Sequence, residues 1–227
     1  LAQQFEDGDV RAQLAALPQN DAQFAESFSA LPVVLGYFFL DQDEGGSDVE
    51  PPASFTISGT LPDRDVRTYS AALLPLPVLE QASSCIGFVT LQADPDGVVR
   101  RVPLVAIQDA RLVPGLALEA VRVSLAQDAP NLLASDGTGE TLSSPGSAVA
   151  VRLGRREIPV NDAGEMWVHF TGTGGPRTLP AWQIISNEIP EARLSAAVAG
   201  KTVFVGSSAE GLQDLVATPM SESEAGV

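Results

Sequence analysis

The apolar residues of this chain come in short blocks whose period changes along its length. Residues 33–40 are apolar without interruption, β-branched and aromatic, which predicts a strand covered on both faces. Residues 86–92 and 98–107 read as two further strands joined by Asp94-Pro95-Asp96-Gly97. That tetrapeptide has Pro and Asp where a tight turn uses them and Gly where φ is positive. A β-hairpin is expected here, with Arg100 and Arg101 on opposite faces of its second strand. Residues 149–153 and 157–160 form another strand pair around Gly154-Arg155-Arg156, and Asn161-Asp162-Ala163-Gly164 then turns the chain into a strand at 166–170. Residues 55–59 predict a short edge strand, and residues 202–205 a closing one.

Helical spacing appears between these blocks. Over 114–127, Leu116, Ala120, Val123 and either Leu118 or Val121 make one stripe, with Pro114 near the start. Residues 9–17 and 21–30 read as short helices capped by Asp9 and Asp21 and separated by Pro18. A helix is expected to begin at Pro77. Residues 180–185 and 190–198 are helical, with Gly200 fitting the position just past a helix end. The acid- and glycine-rich stretches 41–52 and 135–146 read as loops, not linkers. Strands arrive both as hairpins and separated by helices. The expected class is therefore α/β: a mixed β-sheet with antiparallel hairpins, flanked by helices, in one domain spanning residues 1–227.

Composition narrows the partners. Apolar residues make up 44% and mean hydropathy is +0.12, which argues for a buried core over disorder. The net charge of −16 repels phosphate backbones, so no nucleic acid partner is expected, and its plain reading is solubility. The single cysteine, Cys85, makes neither an intrachain disulfide nor a cysteine metal cluster. No apolar stretch approaches the roughly 20 residues of a spanning helix. The chain begins at Leu1 without a signal peptide, which suggests a piece of a longer protein.

Catalytic patterns fail one by one. His169, the only histidine, lies in an alternating strand with no Ser or Cys motif beside it. Gly206-Ser207-Ser208-Ala209-Glu210 has Glu where a nucleophile elbow has its last Gly. Gly206 and Gly211 carry phosphate-loop spacing, yet Leu212 and Gln213 stand where Lys and Ser or Thr belong. The stretch from Asp41 starts like a calcium loop but puts Gly45 and Pro52 at ligand positions, and Asp94 and Asp96 are explained by their turn. No cofactor and no metal are expected. The small residues at 206–209 follow a predicted strand. They either turn N–H groups and hydroxyls toward a small ligand or simply fit a tight crossover. Of the two basic doublets, Arg100-Arg101 and Arg155-Arg156, internal ion pairing is the plain role. Arg100 is the exception favoured as a ligand contact, on the inner hairpin face.

Several segments in register resemble one family: Asn20 to Ala25 with Leu31-Pro32-Val33-Val34-Leu35-Gly36-Tyr37; Gly87-Phe88-Val89 with Asp94-Pro95-Asp96-Gly97-Val98-Val99-Arg100-Arg101-Val102-Pro103-Leu104; Leu116 to Ala120; Ile158-Pro159-Val160 with Gly164; and Gly200-Lys201 through Thr218-Pro219. Together they resemble the CHASE2 domain, the extracytoplasmic sensory module of bacterial membrane receptors. Ala225-Gly226-Val227 is similar to the Pro-Gly-Val that precedes that family's return to the membrane. The family usually opens with a further strand–helix portion that this sequence lacks, and its absence would expose a sheet edge for pairing with another copy, a homodimer. The resemblance implies a membrane-anchored parent protein with a cytoplasmic output: an adenylate or guanylate cyclase, a histidine kinase or a Ser/Thr kinase. A cyclase is the favoured output, and the ligand is an unknown small molecule or protein. The residues expected to contact it are Gly206, Ser207, Ser208, Asp214, Thr218 and Arg100. Two rival functions stand beside the sensor: a hydrolase using clustered carboxylates, and a dimerisation scaffold without a ligand.

Overall fold

The computed structural model describes residues 19–40, 55–62, 65–136, 145–170, 178–207 and 215–225. The expected helix at 9–17, the loop at 41–52 and most of the loop at 135–146 lie outside them. The described chain opens with helix α1 (Asn20–Ser27) and a short 3-10 turn (Phe28–Ala30). Asp21 sits in the first turn of α1, and the capping position falls to Gln19. Strands β1 (Val34–Leu40), β2 (Thr56–Ser58), β3 (Thr68–Tyr69) and β4 (Ala71–Leu73) follow. After them come α2 (Pro77–Ala82), β5 (Cys85–Phe88), β6 (Arg101–Pro103), β7 (Val105–Gln108), β8 (Arg111–Pro114) and α3 (Leu116–Ser124). The rest comprises β9 (Asn131–Ala134), β10 (Ala148–Leu153), β11 (Arg156–Pro159), β12 (Glu165–Trp167), α4 (Ala181–Ile185), α5 (Glu191–Val198), β13 (Leu215–Thr218) and β14 (Ser221–Ala225).

The strands form small mixed sheets, in keeping with the α/β class. β1 pairs parallel with β5 and antiparallel with β4. A second sheet runs β11-β10-β9-β2, with β2 parallel to β9 at its edge, as the short apolar block at 55–59 predicts. A third runs β3-β7-β8. This third sheet lies between two apolar cores. Val105, Ile107 and Leu112 point into one core with Leu118, Leu132, Val151 and Leu153. Ala106 and Val113 point into the other with Tyr37, Phe39, Ile86 and Phe88. The alternation of side chains along a strand makes this division unavoidable. Phe39 is central to the second core, stacked on Tyr69 at 4.0 Å and tilted against Phe88 at 5.2 Å.

Four sequence expectations change. First, β1 is covered on one face only: Tyr37 and Phe39 are buried, whereas Phe38 is 55% exposed. The strand buried on both faces is β7, all four of whose residues are inside. Second, the turn at 94–97 forms, but its flanks do not pair as a hairpin. β5 pairs with β1, and the predicted strand 98–107 breaks at Leu104 into β6, which pairs with β12, and β7, which pairs with β8 and β3. Each flank pairs with strands distant in sequence from the turn. Third, in α3 the buried residues are Leu118, Glu119 and Ala120, and Pro114 ends β8 instead of opening the helix. Fourth, residues 202–205 form no strand. Val203, Phe204 and Val205 are exposed, and no described residue between 178 and 207 is buried. No strand among the described residues lies beside this segment to take up its backbone groups.

Gly87 shows how closely β5 approaches α3. A Cβ there would stand 2.7 Å from Leu116 Cα and 2.8 Å from Leu116 N, so only hydrogen fits the contact.

Candidate functional site

The turn after β5 gathers two carboxylates and two guanidinium groups. Gly97 N–H donates to Asp94 O at 2.8 Å and Asp94 N–H to Val98 O at 2.9 Å, with Gly97 at φ +83°. That closes the loop and presents both carboxylates toward the chain leaving it. Arg100 donates from Nη1 to Asp94 Oδ2 at 2.9 Å and from Nη2 to Asp96 Oδ2 at 2.8 Å. Arg101 splits its fork: Nη2 bonds Asp94 Oδ1, and Nη1 reaches Glu165 Oε2 at 3.1 Å, on β12. Its guanidinium also lies 5.6 Å from the centre of the Trp167 ring. Glu165 is held in turn by Asn161 Nδ2 at 2.9 Å, while Asn161 Oδ1 accepts the Glu165 N–H at 2.8 Å. The predicted turn at 161–164 therefore positions a carboxylate as well as reversing the chain.

These bonds set the protonation states. The Arg101 guanidinium, then that of Arg100, holds Asp94 below the usual carboxylate range. Arg100, together with the Val98 N–H, lowers Asp96 to about 2. Both arginines are shifted upward, Arg100 mainly by Asp96 and Arg101 mainly by Asp94. All four groups are charged at neutral pH.

Behind this clamp is a cavity of about 440 Å³. Asp65 and Arg67, which precede β3, line it together with Gln92, Asp94, Arg101 and Glu165. The clamp is also joined to the end of the chain. Val98 bridges Ala217 in parallel, and Val99 N–H donates to Ala217 O at 2.8 Å.

Of the residues singled out from sequence, Arg100 and Thr218 stand on segments joined by the bond from Val99 N–H to Ala217 O. Arg100 lies in the clamp, spent on Asp94 and Asp96; its neighbour Arg101 is the one that lines the cavity. Thr218 ends β13 and is buried. Its Oγ1 accepts from Met220 N–H at 3.3 Å and Ser221 N–H at 3.2 Å, organising the turn into β14. Gly206 and Ser207 lie in exposed extended chain with no strand before them. Ser208 and Asp214 lie outside the described residues. Sequence reasoning missed Asp65, Arg67, Gln92 and Glu165. Arg101, in its doublet, and the turns at Asp94 and Asn161 gave a signal.

Cys85 offers no nucleophile: burial, then the hydrogen bond with Glu119, pushes its thiol up to about 12. Among the described residues no cluster of His, Cys, Asp and Glu is arranged to hold a metal ion. No described helix is long and apolar enough to cross a membrane.

The sequence profile of the CHASE2 domain matches residues 2–227. The chain belongs to the CHASE2 domain family. CHASE2 domains are extracytoplasmic sensory domains and not catalytic ones. Comparison with curated proteins and with solved structures found no match for this CHASE2 domain.

Proposed function

We propose that this CHASE2 domain acts as one sensory unit of a bacterial transmembrane receptor. It takes up a small molecule or a partner outside the membrane and passes the change to a cytoplasmic output, for which an adenylate cyclase is the favoured identity. One observation carries this reading: the cavity's charged turn is hydrogen-bonded to β13, near the carboxyl end of the chain. A ligand that draws on Asp94 or Arg101 changes the packing of Val98 and Val99, and through Ala217 that of the β13–β14 hairpin. Regulation through such a link requires a difference of only ~1–3 kcal/mol between the two states.

The test uses the full-length receptor in its membrane. In a Cys85→Ser background, Ser207→Cys is expected to react with a membrane-impermeant maleimide on intact spheroplasts; reaction only after lysis overturns the extracytoplasmic placement. Val99→Pro removes the N–H donated to Ala217 and is expected to change cyclic AMP output at an unchanged receptor level. An unchanged output removes the proposed route, and a receptor that makes no cyclic AMP removes the cyclase assignment.

A further inference from the structure

We propose that the cavity behind the Asp94–Arg101 clamp binds a small zwitterion of amino-acid size, with an ammonium at Asp65 and a carboxylate at Arg67. The inference rests on reading the domain as a ligand sensor, and it deepens that reading by naming the ligand's chemistry.

Of the described charged side chains lining the cavity, Asp94, Arg101 and Glu165 are paired: Arg101 bonds both carboxylates, while its buried Nε has no partner. Asn161, also in the lining, accepts two N–H groups and donates one of its own to Glu165. Two charges remain. Arg67 makes no ion pair among the described residues, and Asp65 makes none either, accepting only from Ser147 Oγ at 3.3 Å. They are two positions apart in sequence, face the same cavity and do not pair with each other. A cavity with one unmatched charge of each sign suits a molecule bearing both. An amine alone leaves Arg67 unmatched, and a carboxylate alone leaves Asp65 so. Gln92 adds a neutral acceptor: its Nε2 points to Tyr69 Oη at 3.4 Å, leaving Oε1 for a second ammonium N–H. The volume of about 440 Å³ admits an amino acid with a side chain and excludes little by size. Selection therefore rests on the charge pair. Asp94, whose turn carries the link to Ala217, lines the same cavity.

The experiment is calorimetric titration of the 227-residue chain with each of the twenty standard L-amino acids, with acetate and methylamine as the two half-ligands. At least one amino acid is expected to bind at a single site. At about 100 times its Kd it is expected to raise Tm by roughly 5 to 10 °C. Arg67→Gln and Asp65→Asn, both at exposed side chains, are each expected to weaken it about tenfold or more. Failure of all the amino acids to bind, equal binding by acetate or methylamine, or unchanged affinity in either variant overturns the proposal. These outcomes are independent of the receptor assay. A domain that binds an amino acid while Val99→Pro leaves cyclic AMP unchanged keeps the site and loses the transmission route. The opposite pair of results keeps the route and loses the ligand.

Discussion

Replacing Arg122 by Met is expected to be among the most damaging single changes in this domain, although Arg122 itself is partly exposed. The reason is its partner. Glu119 is fully buried in α3, with its side chain 1% exposed. Its carboxylate accepts from Arg122 Nε at 2.9 Å and Nη2 at 2.7 Å, and Arg122 Nη1 continues to Gln127 O at 3.2 Å. Without the guanidinium, a buried carboxylate has lost its counter-charge, and breaking such a pair costs about 3–5 kcal/mol. For a chain of this size that corresponds to a fall in Tm of roughly 6 to 20 °C. The surface supplies an internal control. Arg152 meets Glu157 at the same 2.7 Å, but both side chains are about half exposed. Arg152→Met is therefore expected to cost less than about 1 kcal/mol. Converting both partners, Glu119→Leu with Arg122→Met, is expected to recover most of the loss, because no unpaired charge then remains inside. Urea unfolding of the four proteins, followed by circular dichroism, gives the comparison. The reasoning is refuted if Arg122→Met costs no more than Arg152→Met, or if the double variant is as unstable as the single one.

Two further outcomes follow from the same geometry. Asp96 is held at about 2 in the folded chain, below the usual carboxylate value near 4. Its contribution to stability is therefore complete above about pH 4 and disappears as pH falls toward 2. In thermal melts across that window, Asp96→Asn is expected to flatten the slope, and an unchanged slope contradicts the clamp. Gly87→Ala forces a Cβ against the backbone of Leu116, where no rotamer change gives relief. A loss of about 1–3 kcal/mol is expected in chemical denaturation, and an unaltered midpoint would show that β5 and α3 can separate freely.

The sequence by itself settled what depends on neighbouring residues. The glycine turns at Gly97 and Gly164, the hairpin around Gly154, the helix over 116–124 and the edge position of β2 all rest on local φ preferences or local periodicity. Family membership was also legible, because the spacing of small motifs survives without knowledge of contacts. Long-range pairing decided the rest. Residues 105–108 and 33–40 are both short apolar blocks, and nothing in either shows that the first is covered on two faces and the second on one. That difference comes from β7 lying between two cores. The exposed block at 202–205 makes the same point, since apolar alternation records a preference for burial and not whether a neighbour is there to supply it. The cavity was the least legible feature. Asp65 and Arg67 meet Arg101 and Glu165 only because β6 pairs with β12 while β7 pairs with β3. A charge that is unremarkable along the chain becomes a candidate contact only when the fold leaves it without a counter-charge.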